Sequence, residues 1–250
     1  MPALRATLTM PSPASGSNGS RGIIHPVMSL SASPSATPAT PAAAAPFLEA
    51  RDLGCVRGGR RLFRHVHFAL APGRLLQVDG ANGSGKTTLL RILAGLAEPA
   101  EGEVRVNGET LSEARSDYLQ EVAYLGHAHG LKPDLSPLEN LAYAVALNRA
   151  RPGASAHETL RALGLEKREH LPCRKLSEGQ RRRTALARLL CTQARLWLLD
   201  EPFTAVDRHG VVEIKRILHD HVASGGMVAL TTHHAADFPD CEVVRVHLSA

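Results

Sequence analysis

The residues best suited to chemistry stand in the stretch GANGSGKTTLL, residues 80–90. The phosphate-loop spacing G-x-x-x-x-G-K-[ST] is matched by Gly80, Gly85, Lys86 and Thr87. Because glycine has no Cβ, successive backbone N–H groups can curl around an anion, and the N-terminus of a following helix adds partial positive charge. Lys86 would then reach the β- and γ-phosphates of a nucleotide, and the Thr87 hydroxyl would ligate Mg2+. The simpler alternative is a glycine-rich turn with a solvated lysine.

A phosphate loop must leave a buried strand and open a helix, and both flanks have the required pattern. Residues 75–78, LLQV, form a short apolar run after a Pro-Gly turn. Residues 87–93 have helical spacing that ends at Gly95. Alternating runs at 47–56 and 61–70 predict two strands of an antiparallel patch, and EGEVRVNG, ending at Gly108, predicts a third.

A second nucleotide-binding element should be an apolar strand that ends in a carboxylate, because Mg2+ prefers oxygen ligands. LWLLDEP supplies it: residues 196–199 form the buried strand and Asp200 stands at its end. Glu201 comes next, turned to a different side, where it can orient and deprotonate an attacking water. The alternative is that two acids at a strand end serve only solubility.

The stretch LSEGQRRRTALARLL, from residue 176, predicts a helix that begins near Ser177 and Gly179. Its hydroxyl and N–H groups would face outward and could bind a second anion. Alone, such a pattern is only a helix N-cap. Residues 112–175 are predicted to be mainly helical, with a break at Arg151-Pro152-Gly153.

Together, GANGSGKTT, LSEGQ, LWLLDEP, TAVD and TTHH resemble, in order and spacing, the nucleotide-binding domain of ABC ATPases over about residues 47–245. The resemblance implies an α/β P-loop NTPase core of the ABC ATPase type. It also implies an N-terminal antiparallel β patch and a helical subdomain at about 112–190, within a domain spanning 47–250. The partner implied for this domain is a second copy of the chain in a head-to-tail homodimer that clamps two ATP molecules.

The resemblance also assigns roles. ATP would be bound by Gly80, Ala81, Asn82, Gly83, Ser84, Gly85, Lys86, Thr87 and Thr88, and by Arg57 and His127. The catalytic residues would be Glu201, Lys86 and the switch histidine His233, with His234 incidental. The Mg2+ cofactor would be held by Thr87 and Asp200. The second subunit would contribute Ser177, Glu178, Gly179, Gln180 and Asp207 to each site.

Two positions depart from the family pattern. Arg57 stands where an aromatic residue usually stacks on adenine, and a guanidinium can also stack on a base. His127 stands where a glutamine usually follows the strand after the antiparallel patch.

The stretches YLGHAHGLKPDLSPLENL (124–141), LDEPFTAVDRHG (199–210) and GGMVALTTHH (225–234) resemble ATP-binding subunits of bacterial cytochrome c biogenesis, or haem exporter, ABC complexes. Ala128 departs from that subfamily, in which glutamine is frequent. The resemblance implies a peripheral protein on the cytoplasmic face of the inner membrane, docked on integral membrane permease subunits. Residues 126–143 are predicted to hold much of the docking surface, because they follow the His127 loop and lead into the helical region. ATP hydrolysis would drive export or release of haem to the periplasmic assembly machinery. The alternative is an ABC exporter of another lipid or small solute.

The composition of the chain argues against several other classes of protein. The 250 residues are 44% hydrophobic, enough for one good core, and no apolar run reaches the length of a membrane span. The net charge of +5 would suit nucleic acid, but the basic run 181–183 has no interleaved aromatics. A solvated helix face or proximity to anionic lipid is therefore favoured, and no nucleic-acid partner is expected. Four scattered cysteines predict reduced thiols rather than a disulfide framework or a zinc site.

Residues 1–46 are rich in Pro, Ser, Ala, Thr and Gly and contain no acid, which predicts a disordered tail. One alternative is that these residues form an organelle transit peptide. Another is that translation starts at Met28. Three histidine pairs, at 65/67, 127/129 and 219/221, have period-2 spacing. None is joined in sequence by a clear acid or thiol set, so no metal site is predicted from them.

Overall fold

The computed structural model describes residues 45–232 and 237–249. Within them the chain forms two β-sheets and six α-helices. The strands are β1 (Leu48–Arg57), β2 (Arg60–Leu70), β3 (Arg74–Gly80), β4 (Glu101–Val106), β5 (Glu109–Thr110), β6 (Val122–Leu125), β7 (Leu196–Asp200), β8 (Met227–Thr231) and β9 (Glu242–Leu248). The helices are α1 (Lys86–Leu93), α2 (Arg115–Glu121), α3 (Pro137–Leu147), α4 (Ala156–Ala162), α5 (Glu178–Leu190) and α6 (Arg208–Ala223), and a short 3-10 helix covers Cys173–Lys175.

The first sheet is antiparallel, with the order β2-β1-β4-β5. It confirms the three strands predicted from alternating residues. Gly58 and Gly59, at φ 56° and 73°, make the tight turn between β1 and β2. Asn107 and Gly108, at φ 50° and 87°, turn the chain from β4 into β5, as an Asn-Gly pair in a two-residue hairpin does.

The second sheet has the order β6-β7-β8-β3-β9, and all of its neighbouring strands are parallel. β7 and β8 are buried along their whole length, which is why they are continuous apolar runs. Because the carboxyl ends of parallel strands meet at one edge, the segments after β3 and β7 come together there. Thr87 and Asp200 thus hydrogen-bond although 113 positions separate them.

Two apolar cores lie on opposite faces of the parallel sheet. Leu198 packs into the first core, with Phe63 of β2 and Leu90 of α1. Its neighbour Trp197 packs into the second, with Leu186 of α5 and other helical residues. Successive residues of β7 enter different cores because side chains alternate across a strand.

Residues 112–190 contain α2, β6 and three helices that pack on one another, α3, α4 and α5. β6 pairs with β7 and therefore belongs to the parallel sheet. The helices that pack mutually thus begin only at Pro137, after the loop that follows β6. The boundaries of a helical subdomain at about 112–190, and of a domain at 47–250, stay predictions.

Some expectations fall outside the described residues, namely those for His233, for His234 and for nearly all of the predicted tail at 1–46. The four cysteines are free thiols, as their spacing predicts. The longest helix of the described ranges, α6, has 16 residues. Across those ranges, no helix combines the length and the apolar character needed to cross a bilayer.

Candidate functional site

The phosphate loop, residues 80–88, leaves β3 and runs into the first turn of α1. Gly80 and Gly85 have φ values of 149° and 99°, which L side chains rarely adopt. A Cβ on Gly80 would lie 2.6 Å from Ser84 Oγ, and one on Gly85 would lie 2.8 Å from Phe63 Cδ1. Both glycines are thus required by packing and by backbone conformation, because Phe63 of β2 lies against Gly85, and Ser84 and Leu248 lie against Gly80.

The Lys86 ammonium lies within this loop. Its residue is only 6% exposed. Nζ donates hydrogen bonds to the carbonyl oxygens of Gly80 at 2.8 Å and Ala81 at 3.0 Å. The simpler alternative of a solvated lysine is therefore wrong, because the loop itself holds the charge. An ammonium held by carbonyls at a helix N-terminus is well placed to meet an anion.

Three oxygen-bearing side chains converge where the loop meets the end of β7. Thr87 Oγ1 donates to Asp200 Oδ2 at 2.8 Å, and Thr231 Oγ1 donates to Asp200 Oδ1 at 2.7 Å. Asp200 is buried, and both of its carboxylate oxygens are hydrogen-bonded. A hydroxyl beside a carboxylate is a hard oxygen donor set, the kind that Mg2+ accepts. The residues predicted to hold Mg2+ thus fit it in chemistry and are in contact.

The residue after Asp200 has an unusual backbone. Glu201 has a φ of 50°, in the left-handed region that non-glycine residues rarely occupy. Its N–H donates to Thr231 Oγ1 at 2.9 Å, and Thr204 Oγ1 donates to its carboxylate at 3.3 Å. Such strain persists only where surrounding contacts impose it, and it concentrates at functional sites.

Arg182 of α5 supplies much of this restraint. Its guanidinium donates to the carbonyl oxygens of Asp200 and of Glu201, the latter at 2.7 Å, and to that of Gly126 at 3.1 Å. The residue is only 3% exposed, and burial lowers the pKa of its guanidinium. The expectation that residues 181–183 form a solvated or lipid-facing basic face is thus wrong for Arg182. Sequence alone missed it, because neighbouring arginines on a helix point to different sides.

The loop opens into a surface groove of about 530 Å³. Its lining includes the predicted residues Asn82, Gly83, Gly85, Lys86, Thr87, Thr88 and Glu201, together with Leu62 of β2, which the sequence did not single out. Arg57 is exposed at the end of β1, in register with Arg60 beside the hairpin turn. It is absent from the lining of this groove. The structure thus offers Leu62, an apolar side chain, as a neighbour of the loop from the same hairpin.

The predicted second anion site, residues 177–180, is the tip of α5. Ser177 is the N-cap: its Oγ accepts from the Gln180 N–H at 3.2 Å, and its own N–H donates to Gln180 Oε1 at 2.9 Å. Ser177 and Glu178 are exposed, and neither lines the groove at the phosphate loop. Gln180 is therefore a capping partner within the chain, while the serine end faces outward as predicted.

The segment TAVD packs beside this tip. A Cβ on Gly179 would lie 2.9 Å from the carbonyl oxygen of Ala205, whose own φ is 59°. Asp207 is exposed and caps α6 by accepting the Gly210 N–H at 2.7 Å. The residues predicted to act on a second subunit's site, Ser177, Gly179 and Asp207, thus lie at two exposed helix starts that are packed beside each other.

The loop after β6 holds the two histidines of the 127/129 pair in different surroundings. His127, the residue singled out from the sequence, is exposed. His129 instead pairs with Glu178 at the tip of α5, with 2.6 Å between Nε2 and Oε1. Burial lowers the pKa of His129, whereas hydrogen bonds from Arg181 and then from His129 lower the pKa of Glu178. No local pattern predicts this contact, since 49 positions separate the two side chains.

Comparisons with known proteins identify the family of the chain. The profile of the family described as ABC transporter matches residues 63–204. A protein of Methylococcus capsulatus named cytochrome c biogenesis ATP-binding export protein CcmA is 52% identical over 199 residues, covering 79% of this chain and 96% of that protein. Its namesake from Nitrosospira multiformis is 46% identical over 205 residues, covering 82% of this chain and 100% of that protein.

Two solved structures share the fold. An ATP-binding subunit of an ABC transporter superposes with a TM-score of 0.70 at 24% identity, covering 82% of this chain and 88% of that one. A dimeric ATP-binding cassette in a post-hydrolysis state, bound to ADP and Pi, superposes with a TM-score of 0.69 at 22% identity, covering 81% and 97%. At such identity the likeness establishes the fold alone.

Proposed function

The chain belongs to the ABC transporter family and hydrolyses ATP, and we propose that it is the ATPase subunit of a membrane complex for cytochrome c biogenesis. The observation that carries this proposal is its similarity, along almost their whole length, to proteins named for ATP-binding and export in cytochrome c biogenesis. We further propose that the complex exports haem or releases it to the periplasmic assembly machinery. The stretch 124–141, with histidine in place of glutamine, supports this subfamily.

The chemistry that we propose uses groups already assembled on one edge of the sheet. Lys86 and the N–H groups of residues 80–88 would bind the phosphates of ATP, and Glu201 would orient and deprotonate the attacking water. Mg2+, when held by Thr87 and Asp200, would neutralise charge on the phosphates. The strained backbone of Glu201, fixed by Arg182 and Thr231, supports a role for this carboxylate that needs an exact direction.

We propose that two copies of the chain complete the sites, head to tail. Residues 177–180 and Asp207 of one copy would face the phosphate loop of the other, and His233 would contact the γ-phosphate. The support is physical: Ser177 is exposed at the start of α5, where partial positive charge suits a phosphate, and Asp207 is exposed at the neighbouring start of α6. ATP would then hold the two copies together, and hydrolysis would release them.

We place the proposed subunit on the cytoplasmic face of the inner membrane, bound to integral membrane permease subunits through residues 126–143. In this segment Leu131 packs against the second core, so charging it would also disturb the fold. Tyr143 suits a test better, because it is 46% exposed and its ring lies under the Lys132 ammonium at 4.6 Å. Tyr143→Glu should therefore reduce recovery of membrane partners without reducing ATP binding.

The experiment that tests the proposed function combines partner identification with complementation. The chain would be affinity-purified from membranes and its partners identified, and c-type cytochromes would be scored in a deletion strain carrying either the parent or Glu201→Gln. We expect permease partners, loss of c-type cytochromes on deletion, and rescue by the parent alone. Normal cytochromes in the deletion strain would contradict the proposal and favour an exporter of another lipid or small solute.

A further inference from the structure

A cluster of metal-ligating side chains lies in the helical part of the chain, among residues that the nucleotide chemistry does not use. His157, Glu169 and His170 can each place one ligand atom so that all three atoms lie within 4.8 Å of one another. None of the three lines the groove at the phosphate loop. The cluster joins the first turn of α4 to the segment that follows α4, so the sequence spacing does not display it.

The donor set is that of a transition-metal site. His170 Nε2 and Glu169 Oε1 are 3.7 Å apart, close to the about 3.3 Å between ligands at the corners of a tetrahedron with metal–ligand bonds of about 2.0–2.1 Å. Two imidazoles and one carboxylate, with the fourth position open to water, are a common set for Zn2+. Mg2+ and Ca2+ bind oxygen ligands, so two imidazole ligands make this cluster a poor site for either ion.

The backbone that carries these side chains is fixed. Leu160 and Leu165 are fully buried on either side of the turn that ends α4, and the Leu165 N–H donates to the Leu160 carbonyl at 2.8 Å. The Glu169 carbonyl accepts the Leu138 N–H of α3 at 3.2 Å. The ligand-bearing segment is thus tied to both α3 and α4, which limits the movement needed to close around an ion.

The electrostatic surroundings also suit a cation. The Glu169 side chain is only 20% exposed, whereas that of His170 is 77% exposed, so the carboxylate is the more buried of these two ligands. A second carboxylate, Glu139 at the start of α3, is close enough for charge to matter. Hydrogen bonds from Ser136 first, and the charge of His170 as well, lower the pKa of Glu139. The Glu139 carboxylate therefore lies within electrostatic reach of His170.

We propose that His157, Glu169 and His170 form a binding site for a divalent transition metal of the zinc class. The ion would link the start of α4 to the following segment. Because its ligands differ from the oxygen pair Thr87 and Asp200, Mg2+ and the transition metal would occupy different places on the same chain.

The test uses the full chain, purified without a polyhistidine tag and stripped with EDTA. Zn2+ would be titrated in competition with a chromophoric chelator, and Co2+ would be added separately to read the absorption of the bound ion. We expect His157→Ala/His170→Ala to lower Zn2+ affinity by more than about 10-fold, since even changes outside the ligand set cost about 10- to 100-fold. We also expect Zn2+ to raise the Tm of the parent but not of this variant.

The matched control is His65→Ala/His67→Ala. This pair also has a carboxylate partner, because Asp52 Oδ1 lies 2.7 Å from His65 Nδ1 and 3.4 Å from His67 Nε2. Parental affinity in the control and loss in His157→Ala/His170→Ala support the proposal. Unchanged affinity in His157→Ala/His170→Ala, or displacement of Zn2+ by millimolar Mg2+, overturns it. Glu169→Gln, which keeps the side chain's size, decides the question if the alanine variants do not fold: parental affinity in Glu169→Gln also overturns the proposal.

Discussion

The phosphate loop and the tip of α5 are both helix N-termini suited to anions, yet the fold treats them differently. At the loop, Lys86 is buried and donates to carbonyl oxygens of the loop itself, and Asp200 is buried and accepts hydrogen bonds from Thr87 and Thr231. At the tip, Ser177 satisfies the first turn of its own helix and stays exposed. The first region depends on contacts between distant residues, such as Thr87 with Asp200. The second is a local helix cap that is exposed to solvent. This difference fits the proposal that two copies of the chain share each ATP site.

The two regions also differ in how their charges are held. Arg182 is buried and donates to the backbone carbonyls of Gly126, Asp200, Glu201 and Pro202. Arg181, its neighbour, forms an ion pair with exposed Glu178 at the tip. Exposed pairs of this kind contribute only about 0–1 kcal/mol, whereas breaking a buried charged network costs about 3–5 kcal/mol. The loop region should therefore be sensitive to substitution for structural reasons, and the tip mainly for functional ones.

The largest effect should come from Glu201→Gln, which changes the group where both regions would meet ATP. Loss of a general base lowers the hydrolysis rate by about 10²- to 10⁴-fold, while the phosphate loop keeps its contacts. ATP binding should persist, and the two copies should stay associated. Hydrolysis assays and size-exclusion chromatography with ATP and Mg2+ measure both results. Turnover at the parental rate would mean that another group orients the water.

Lys86→Ala should remove nucleotide binding rather than turnover alone. The ammonium would otherwise make charge-assisted hydrogen bonds to phosphate, each worth about 1.5–3 kcal/mol. A loss of roughly 10²- to 10⁴-fold in ATP affinity follows from two such bonds. Fluorescent-nucleotide titration measures it, with Lys132→Ala of the exposed loop as the control. Equal affinities in the two variants would contradict the role of the loop.

Acid should destabilise the fold through a buried histidine of α6 that stacks on β7. His221 of α6 is buried, stacks on Trp197 with ring centroids 3.7 Å apart, and has Nε2 3.0 Å from the Arg195 carbonyl oxygen. Burial lowers the pKa of His221 to about 4. Because the unfolded chain binds this proton at a higher pH, near 6.5, the stability from the neutral ring is complete above pH 6.5. It is lost as the pH falls towards 4, by up to about 3 kcal/mol.

Urea unfolding at pH 7.5 and pH 5 measures this loss, as a free energy of unfolding. His221→Gln should reduce the difference in unfolding free energy between pH 7.5 and pH 5. His219→Gln, at a more exposed position of the same helix, should leave this difference unchanged. A parental pH dependence in His221→Gln would show that other groups cause the acid effect.

The smallest effect on the chain itself should come from Ser177→Asp. Aspartate caps a helix as well as serine does, so Tm should stay near the parental value. Its carboxylate would nevertheless repel the triphosphate of a second copy, and about 1.4 kcal/mol of repulsion lowers hydrolysis tenfold. Ser155→Asp makes the same change at the N-cap of α4 and should keep full activity. Equal activity in both variants would show that the tip of α5 does not contribute to ATP hydrolysis.

Local patterns in the sequence determined much of this protein. The glycine spacing of residues 80–88, the apolar run before Asp200 and the capping pattern at Ser177 each predict a backbone feature that the structure contains. The antiparallel strands followed from alternation and from turn residues. These features could be predicted because backbone geometry and side-chain alternation act over a few neighbouring residues.

The tertiary structure alone decided which distant groups meet. The order of the strands places Thr231 beside Asp200. The packing of α5 against the sheet places Arg182 at the backbone of Glu201 and Glu178 beside His129 rather than His127. It also brings His157 to Glu169 and His170. Such contacts depend on how helices and strands pack across the sheet. A buried charge without a partner costs free energy, so the fold favours arrangements in which buried charges are paired. No local period in the sequence carries that information.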